Sequence, residues 1–579
     1  MVEQLITEHL DLWTSAHTTR STTGRGSNNK LELTGIKKLR ELILELAVRG
    51  KLVPQDPSDE PVEHLIERLA TDQVRLISEK KIRKPKKLPQ VSSEEQPFDL
   101  PNGWAFVRLA DVAFPQAGFA FKSRSFNQSG SGFPIIRIRD VGQPFSGTFY
   151  DGEYREEFLV NEGDYLISMD GNFRVAPWKG KQALLNQRVS RLIFFSEDVN
   201  TSFVAEALQA RLTELQGVKA YTTVDHLSGG QISASIIPLP PVEEQVRIVA
   251  KIDELMALCD QLEQQTEASI SAHQTLVETL LTTLTDSADA NELAENWARL
   301  AEHFDTLFTT EHSIAQLKQT ILQLAVMGKL VLQNPEEEPG EDLAQRISEE
   351  KALLIQSGKI RKQKALATVS EEDIPFHTPP GWAWRRLDDI VDITSGITKG
   401  RKLAGRKVKA LPYLRVANVQ RGSLNLETMK DIEVPIDELE KFTVRNRDLL
   451  ITEGGDWDKV GRTAIWNGEL PEVIHQNHVF KARLILQEQS EHWLEKYLNS
   501  NPAREYFAGS SKQTTNLASI NKTQLRGCIV PVPPLAEQYR ILAKMEELLS
   551  ICWQLESALN KATDTQLQFS SAIASQAVA

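Results

Sequence analysis

Cysteine is scarce in this chain of 579 residues: there are three, Cys259, Cys528 and Cys552. Three thiols supply neither a disulfide framework nor a four-ligand zinc site, and a reducing cytoplasm is the expected compartment. Long apolar runs are missing too. None approaches the ~18 residues that a membrane span needs. The N-terminal MVEQLITEHLDLW is acidic and amphipathic, unlike a secretory signal. Positive charge is not in excess, since 66 Lys and Arg face 79 Asp and Glu for a net charge of −13. That argues against a protein coating DNA by overall basicity but leaves local basic surfaces open. Catalytic signatures are absent as well. No G-x-x-x-x-G-K-[ST] phosphate loop, H-E-x-x-H or G-x-S-x-G occurs. Asn501-Pro502-Ala503-Arg504 falls short of an amino-methyltransferase tetrad. His226, His475 and His478 stand alone and read as surface or capping histidines. Together these absences favour a binding protein.

What the chain does have is a duplication. Leu39–Pro57 and Leu317–Pro335 agree at 12 of 19 positions, and Pro241–Glu263 and Pro534–Glu556 at 13 of 23. The offset is 278 from Leu39/Leu317 to Pro134/Pro412 and reaches 293 at Pro241/Pro534. All the length difference therefore falls in the middle of each copy. Similar flanks around divergent middles fit one scaffold carrying two inserts with different tasks. Two similar surfaces suit a pseudo-symmetric partner or two copies of one partner.

Each copy alternates helical and globular blocks. Residues 21–30 read as a loop, and Leu31–Val53 and Val62–Ile82 as helices. The second copy repeats them, with helices ending at Val326 and near Gln356. The globular segments open at Gly103-Trp104 and Gly381-Trp382. Phe133–Val141 and Leu411–Val419, then Asp164–Ser168 and Asp448–Thr452, alternate as strands before glycine turns. The di-prolines Pro240–Pro241 and Pro533–Pro534 suit first-turn positions of long helices. The first helix is expected from Val242 to about Thr285, roughly 60 Å at 1.5 Å per residue. Ile248, Ile252, Leu255, Cys259 and Leu262, and Ile541, Met545, Leu548, Cys552 and Leu555, keep heptad spacing. The two helices are expected to pack antiparallel as a rod, with Cys259 and Cys552 as small core residues. The fold class is α+β: a helical arm (1–103), a mixed α/β domain (104–240), a helical spacer and arm (241–381), a second domain (382–534) and a terminal helix (535–579), with pseudo-two-fold symmetry and twisted sheets.

Local basic tracts are the nucleic-acid signal. Lys399, Arg401, Lys402, Arg406, Lys407 and Lys409 form a run without an acid. Lys80, Lys81, Arg83, Lys84, Lys86 and Lys87 form another, echoed by Lys359, Arg361, Lys362 and Lys364. Such runs contact phosphates, or simply solvate a surface. Lys122, Arg124, Arg137 and Arg139 are further DNA-binding candidates in the first copy, as is Arg415 in the second. After the glycine turns stand Arg174, Lys179, Lys181 and Arg188 in copy one, and Lys459, Arg462, Gln476 and Asn477 in copy two. Arg, Asn and Gln pair bidentately with base edges. Asp456, Asp458 and Lys459 resemble a fragment of a nuclease acid cluster, but the equivalent turn in copy one lacks it.

The Gly-Trp opening, the D-x-L-I strand before a glycine turn, and P-x-P-P-x-x-E-Q-x-R-I at Pro238–Ile248 and Pro531–Ile541 form a pattern. From about Leu31 to Leu559 it resembles the DNA-specificity subunit of Type I restriction–modification systems. The resemblance implies two target-recognition domains joined by antiparallel helices, reading a split, asymmetric double-stranded DNA site. It implies two modification subunits that use S-adenosylmethionine to methylate adenine N6, and restriction subunits that use ATP and Mg to translocate and cut. This chain would itself hold no catalytic residue, metal or cofactor. The competing readings are a scaffold with two distinct peptide-binding domains, and a nuclease with a cryptic site.

Overall fold

A computed structural model of the chain describes residues 8–15, 18–20, 30–218, 226–455, 459–514 and 517–578. The expected loop at 21–30 lies outside them, except for Lys30, which opens the strand Lys30–Glu32 antiparallel to Thr18–Arg20. Contacts divide the chain into two units: Met1–Ser269 with Ala562–Ala579, and Ile270–Lys561.

After the short helix Leu10–Ser15, the first unit has two arm helices, α1 (Thr34–Val48) and Val62–Ser78. On α1, Ile36, Leu39, Ile43 and Leu46 recur at helical spacing and are buried. The helix stops at Gly50, whose φ of 66° needs no Cβ. A Cβ there would also lie 2.4 Å from Pro101. The arm therefore closes directly onto the opening of the globular segment. Gly328 repeats the device at φ 71°, against Pro379 and Trp382.

The globular segment of each unit is built on the same plan. In the first, Ala113–Ala117, Val189–Phe194, Tyr165–Ser168 and Val175–Pro177 lie side by side as an antiparallel sheet. In the second, the order Val391–Ser395, Val479–Leu484, Leu449–Thr452, Thr463–Ile465 reproduces it. A second sheet runs Ala183–Leu185 parallel to Phe133–Ile136, and Ile474–His475 parallel to Val408–Leu414. A two-stranded ribbon, Ala105–Arg108 with Ile236–Leu239, brings the segment's two ends together. Ala383–Arg386 with Ile529–Val532 does the same in the second unit. The predicted strands at Phe133–Val141 and Leu411–Val419 are shorter than expected, because Asp140 and Asn418 fold back on the main-chain N–H of Arg137 and Arg415 and turn the chain.

Each ribbon leads into a long helix: α2 (Val242–Asp286) after the first, and, beyond the second unit's arm helix α3 (Glu311–Val326), α4 (Leu535–Val578) after the second. Helix α2 starts in the first unit and ends in the second, and α4 runs the other way. At each start a buried carboxylate collects donors. Glu244 accepts from Trp104 Nε1 at 2.9 Å and Gln55 Nε2 at 3.4 Å. Glu537 accepts from Trp382 Nε1 at 3.1 Å and Gln333 Nε2 at 3.1 Å. The neighbouring Gln245 and Gln538 each bond the carbonyl of the first proline at 2.9 Å.

The heptad positions are buried, save Leu555, which is half-buried, but their packing corrects the two-helix seam. In the second unit one core joins Ile541, Met545, Leu548 and Cys552 of α4 to Ile314, Leu317, Ile321 and Leu324 of the arm helix α3. Val277, Leu281 and Leu284 from the end of α2 belong to it as well. An apolar stripe is indifferent to which helix covers it, so periodicity alone does not reveal the third helix. Paired ions mark the arm contact in both units: Arg40 with Asp260 (2.7 Å) and Glu263, and Lys318 with Glu556 (2.7 Å). All three cysteines are buried and free.

Burial raises Glu537 above its ordinary range, against the hydrogen bonds from Gln333 and Trp382. Its protonation therefore favours the folded state at acid pH, a contribution lost as pH rises through the raised value. Glu537→Ala leaves the Trp382 indole without an acceptor and should cost about 1–3 kcal/mol. Glu537→Gln keeps an acceptor, should cost less, and should remove that pH dependence. Thermal unfolding of the full chain across pH measures both.

Candidate nucleic-acid interface

One end of the paired sheets gathers the polar groups. In the first unit the strand Ala183–Leu185 runs out into Asn186-Gln187-Arg188. This turn is fixed by main-chain bonds: Phe119 N to Leu185 O (2.9 Å), Gly118 N to Val189 O (3.0 Å) and Met169 N to Arg188 O (3.1 Å). Gly118 is required by this approach, since a Cβ would sit 2.2 Å from the Asn186 carbonyl oxygen. In the second unit Gln476-Asn477-His478 occupies the same place. Ile397 N bonds His475 O (2.8 Å), Asn477 N bonds Ile397 O (3.0 Å) and Glu453 N bonds His478 O (2.9 Å). A Cβ on Gly396 would meet the His475 carbonyl oxygen at 2.1 Å. The backbone of the turn is thus conserved between the copies while its side chains differ.

A carboxylate holds the last side chain of each turn. Asp170 pairs with Arg188 at 2.6 Å and with His226 Nδ1 at 2.7 Å. Burial works to raise the Asp170 carboxyl, but the bonds from His226 and Arg188 outweigh it and hold the pKa below the usual value. Glu453 accepts His478 Nδ1 at 2.6 Å. Arg188, His226 and His478 all remain more than half exposed. Their polar edges can therefore meet a ligand without leaving the carboxylate.

Other predicted residues converge here. Arg137 and Arg415 follow the strands parallel to the turn-bearing strands, so they emerge at the same end, with Arg139 just beyond Arg137. Arg174 and Arg462 are equivalents, which the sequence offset hides. Each carbonyl accepts from residue 168 or 452 at 3.0 Å, and each N–H donates to that residue's hydroxyl, at 2.9 and 3.0 Å. Lys122 and Arg124 are exposed on the segment after Gly118, as is Lys399 after Gly396. Lys459 sits next to Gly455.

Other candidates do not join the cluster. Lys179 and Lys181 lie at the far end of the strand Ala183–Leu185. The basic run of copy two is also not free of acids in space. Glu438 takes Arg401 at 2.6 and 2.9 Å and Arg406 at 2.7 Å, Asp437 takes Arg406 at 2.5 Å, and Glu472 takes Lys409 at 2.5 Å. Lys399, Lys402 and Lys407 are exposed and make no ion pair among the described residues. The tracts at Lys80–Lys87 and Lys359–Lys364 are exposed where they carry charge.

His475 is fully buried, with Nδ1 on the Val479 carbonyl at 2.7 Å, rather than a surface histidine. Burial, then Lys481, pushes its pKa down to about 3, so it stays neutral. Asp456 and Asp458 lie outside the described residues. Sequence reading passed over Asp170, Glu453, Asn186 and Gln187. The tetrads Asn-Gln-Arg-Val and Gln-Asn-His-Val, in register before the same strand, were the available signal.

The Arg401 hydrogen bond, then that of Arg406, lowers the Glu438 pKa to about 2. The pairing's contribution is present above the ordinary glutamate value and fades as pH falls towards 2. Glu438→Gln releases the Arg401 guanidinium at neutral pH and leaves Arg406 with Asp437 alone, at 2.5 Å. Duplex binding should strengthen, and its salt dependence steepen by about one unit of log–log slope per added phosphate contact. Filter binding over a salt series checks this, and an unchanged slope would show that Arg401 stays off the phosphates.

The chain is similar to known proteins along its length. The family described as Type I restriction modification DNA specificity domain matches residues 101–272 and 379–563, one stretch per copy. The chain is 37% identical over 615 aligned positions to the Type I restriction enzyme EcoEI specificity subunit of Escherichia coli. It is 38% identical over 618 to the EcoAI specificity subunit of the same species, and both chains are covered completely in each case. Among solved structures, a chain from a type I R-M system aligns at 18% identity with TM-score 0.44, covering 83% of this chain and 99% of that one. The HsdS subunit of Thermoanaerobacter tengcongensis aligns at 18% with TM-score 0.36, covering 83% and 98%. With a family match in both copies and full-length relatives above one-third identity, the chain belongs to the Type I restriction–modification DNA specificity subunits.

Proposed function

We propose that the chain reads a bipartite, asymmetric DNA site, one half with each unit, for a Type I restriction–modification complex. The observation that carries this is the turn repeated on one backbone frame with different head groups. Asn186, Gln187 and Arg188 present one hydrogen-bonding pattern; Gln476, Asn477 and His478 present another. Asn and Gln suit adenine N6/N7, and Arg suits guanine O6/N7. Arg137, Arg139 and Arg174, with Arg415 and Arg462 in the second unit, hold the phosphates that set register, because phosphate contacts position while base contacts specify. Lys122, Arg124 and Lys399 extend this track.

The long helices α2 and α4 act as the antiparallel spacer that fixes the distance between the half-sites. The arm helices packed on them offer two equivalent surfaces, which suit two modification subunits. Those partners carry S-adenosylmethionine and methylate adenine; restriction subunits supply ATP- and Mg-dependent translocation and cleavage in the cytoplasm. This chain contributes recognition and no catalytic group. The no-span expectation has its structural counterpart: no helix among the described residues is long and apolar enough to cross a membrane.

The purified chain, free of partners, should transfer no methyl group from labelled S-adenosylmethionine. Binding to target DNA by the complex should fall ~10³–10⁵-fold between 50 and 200 mM salt if about six to ten phosphates are neutralised. Methyl transfer by the isolated chain, or a flat salt response, would reject this reading.

A further inference from the structure

The duplication supplies an internal reference for any feature present in only one copy. In the second unit the strands Val391–Ser395 and Val479–Leu484 pair Asp392 with Arg483 and Thr394 with Lys481. The matching strands of the first unit pair Phe114 with Ile193 and Gln116 with Arg191. An apolar pair and a long amide have been replaced by a charged pair and a short hydroxyl.

The consequences are visible in the hydrogen bonds. In the first unit Arg191 donates to Gln116 Oε1 at 2.6 and 3.1 Å, to the carbonyls of Leu159 (2.5 Å) and Glu157 (3.2 Å), and to Asp164 at 3.2 Å. Gln116 Nε2 bonds the Glu157 carbonyl at 2.9 Å. Every group is used. In the second unit Lys481 keeps the two main-chain bonds, to Thr443 O (2.8 Å) and Lys441 O (3.2 Å). Thr394 is too short to replace Gln116, and its hydroxyl oxygen is buried without a partner. Asp448 is occupied by Arg483, at 2.7 and 2.6 Å.

A cavity of about 790 Å³ opens over these strands. Lys359, Arg361, Lys481 and Lys522 line it, and none of them makes an ion pair among the described residues. Lys522 stands at the start of the helix Lys522–Gly527, where the first unit has Gly229. The lining carboxylates offset part of this charge: Asp392 acts on Lys481 and Lys522. Glu438 and Asp437 are taken by Arg401 and Arg406, and Glu440 by Arg445. Only Asp392 among them makes no ion pair. Burial, then Arg483, lowers the Lys481 pKa to about 8, against the opposing pull of Asp448 and Asp392.

Four cations from three parts of the chain and an unused hydroxyl leave a surplus of donors and positive charge. A dianion rich in acceptor oxygens and bearing no donors meets that demand better than a single carboxylate. The volume lies within the ~300–1,000 Å³ of small-molecule sites. Lys359, Arg361 and Lys481 have basic counterparts in Lys81, Arg83 and Arg191, but Asp392, Thr394 and Lys522 stand where the first unit has Phe114, Gln116 and Gly229, so these three are not required by the shared scaffold. We propose that the second unit carries an anion site of its own, which takes the phosphate group of a small molecule.

Calorimetric titration of the full chain with inorganic phosphate, at ionic strength held constant with chloride, tests this. Saturable binding is expected. Thr394→Gln, which installs the first unit's side chain beside Lys481, and Lys522→Gln should each weaken it about tenfold or more, equivalent to about 1.4 kcal/mol. The rise in melting temperature with phosphate gives a second readout in each variant, and shows whether that variant is folded. Absence of binding to the wild-type chain, or equal affinity in both folded variants, would overturn the proposal. Displacement of phosphate by a duplex lacking the recognition sequence would also overturn it, by assigning the cations to the DNA backbone.

Discussion

A buried carboxylate in the first turn of each long helix ties together three parts of the chain that are remote in sequence. Glu244 receives the indole of Trp104 at the opening of the globular segment and the amide of Gln55 at the end of the arm. Glu537 does the same with Trp382 and Gln333. Each is about 1% exposed, so an unmet acceptor or donor here carries the full cost of desolvation. The arm, the strand ribbon and the helix start must therefore be placed together or not at all. The order of the sheets follows, because the ribbon fixes both ends of the segment that forms them.

Within that frame, the side chains proposed to read DNA stand at positions on which the fold does not depend. The turn at Asn186–Arg188 is held by main-chain bonds to residues 118, 119 and 169, and its counterpart by bonds to 397 and 453. Side chains there can change without altering the backbone. The carboxylates of Asp170 and Glu453 orient whichever cationic or neutral ring or guanidinium follows. The anion cavity of the second unit obeys the same logic: replacing Gln116 by Thr394 and Phe114 by Asp392 leaves the strand pairing unchanged.

The sequence disclosed the duplication, the helix start at Val242, the helix end near Gln356, and the burial of Cys259 and Cys552, because helical periodicity and proline stops are local properties. It did not disclose that α3 shares the heptad stripe of α4, since an apolar stripe carries no mark of its partner. Nor did it show that Arg401 and Arg406 are taken by Glu438, which follows more than 30 residues later, on the far side of the strand Val408–Leu414. Arg174 and Arg462 remained unmatched because the loops between them and their strands differ in length. The shared main-chain and hydroxyl bonds to Ser168 and Thr452 make them equivalent.

The central claim is that two units built on one frame read DNA independently through the side chains of one turn. Mapping of methylated adenines in cells that make the full complex with Arg188→His, which installs the head group of the second unit, tests it most directly. The account predicts a changed base at one half-site, with the other half-site and the spacing intact. Methylation altered in both halves, or reduced at an unchanged sequence, would contradict it.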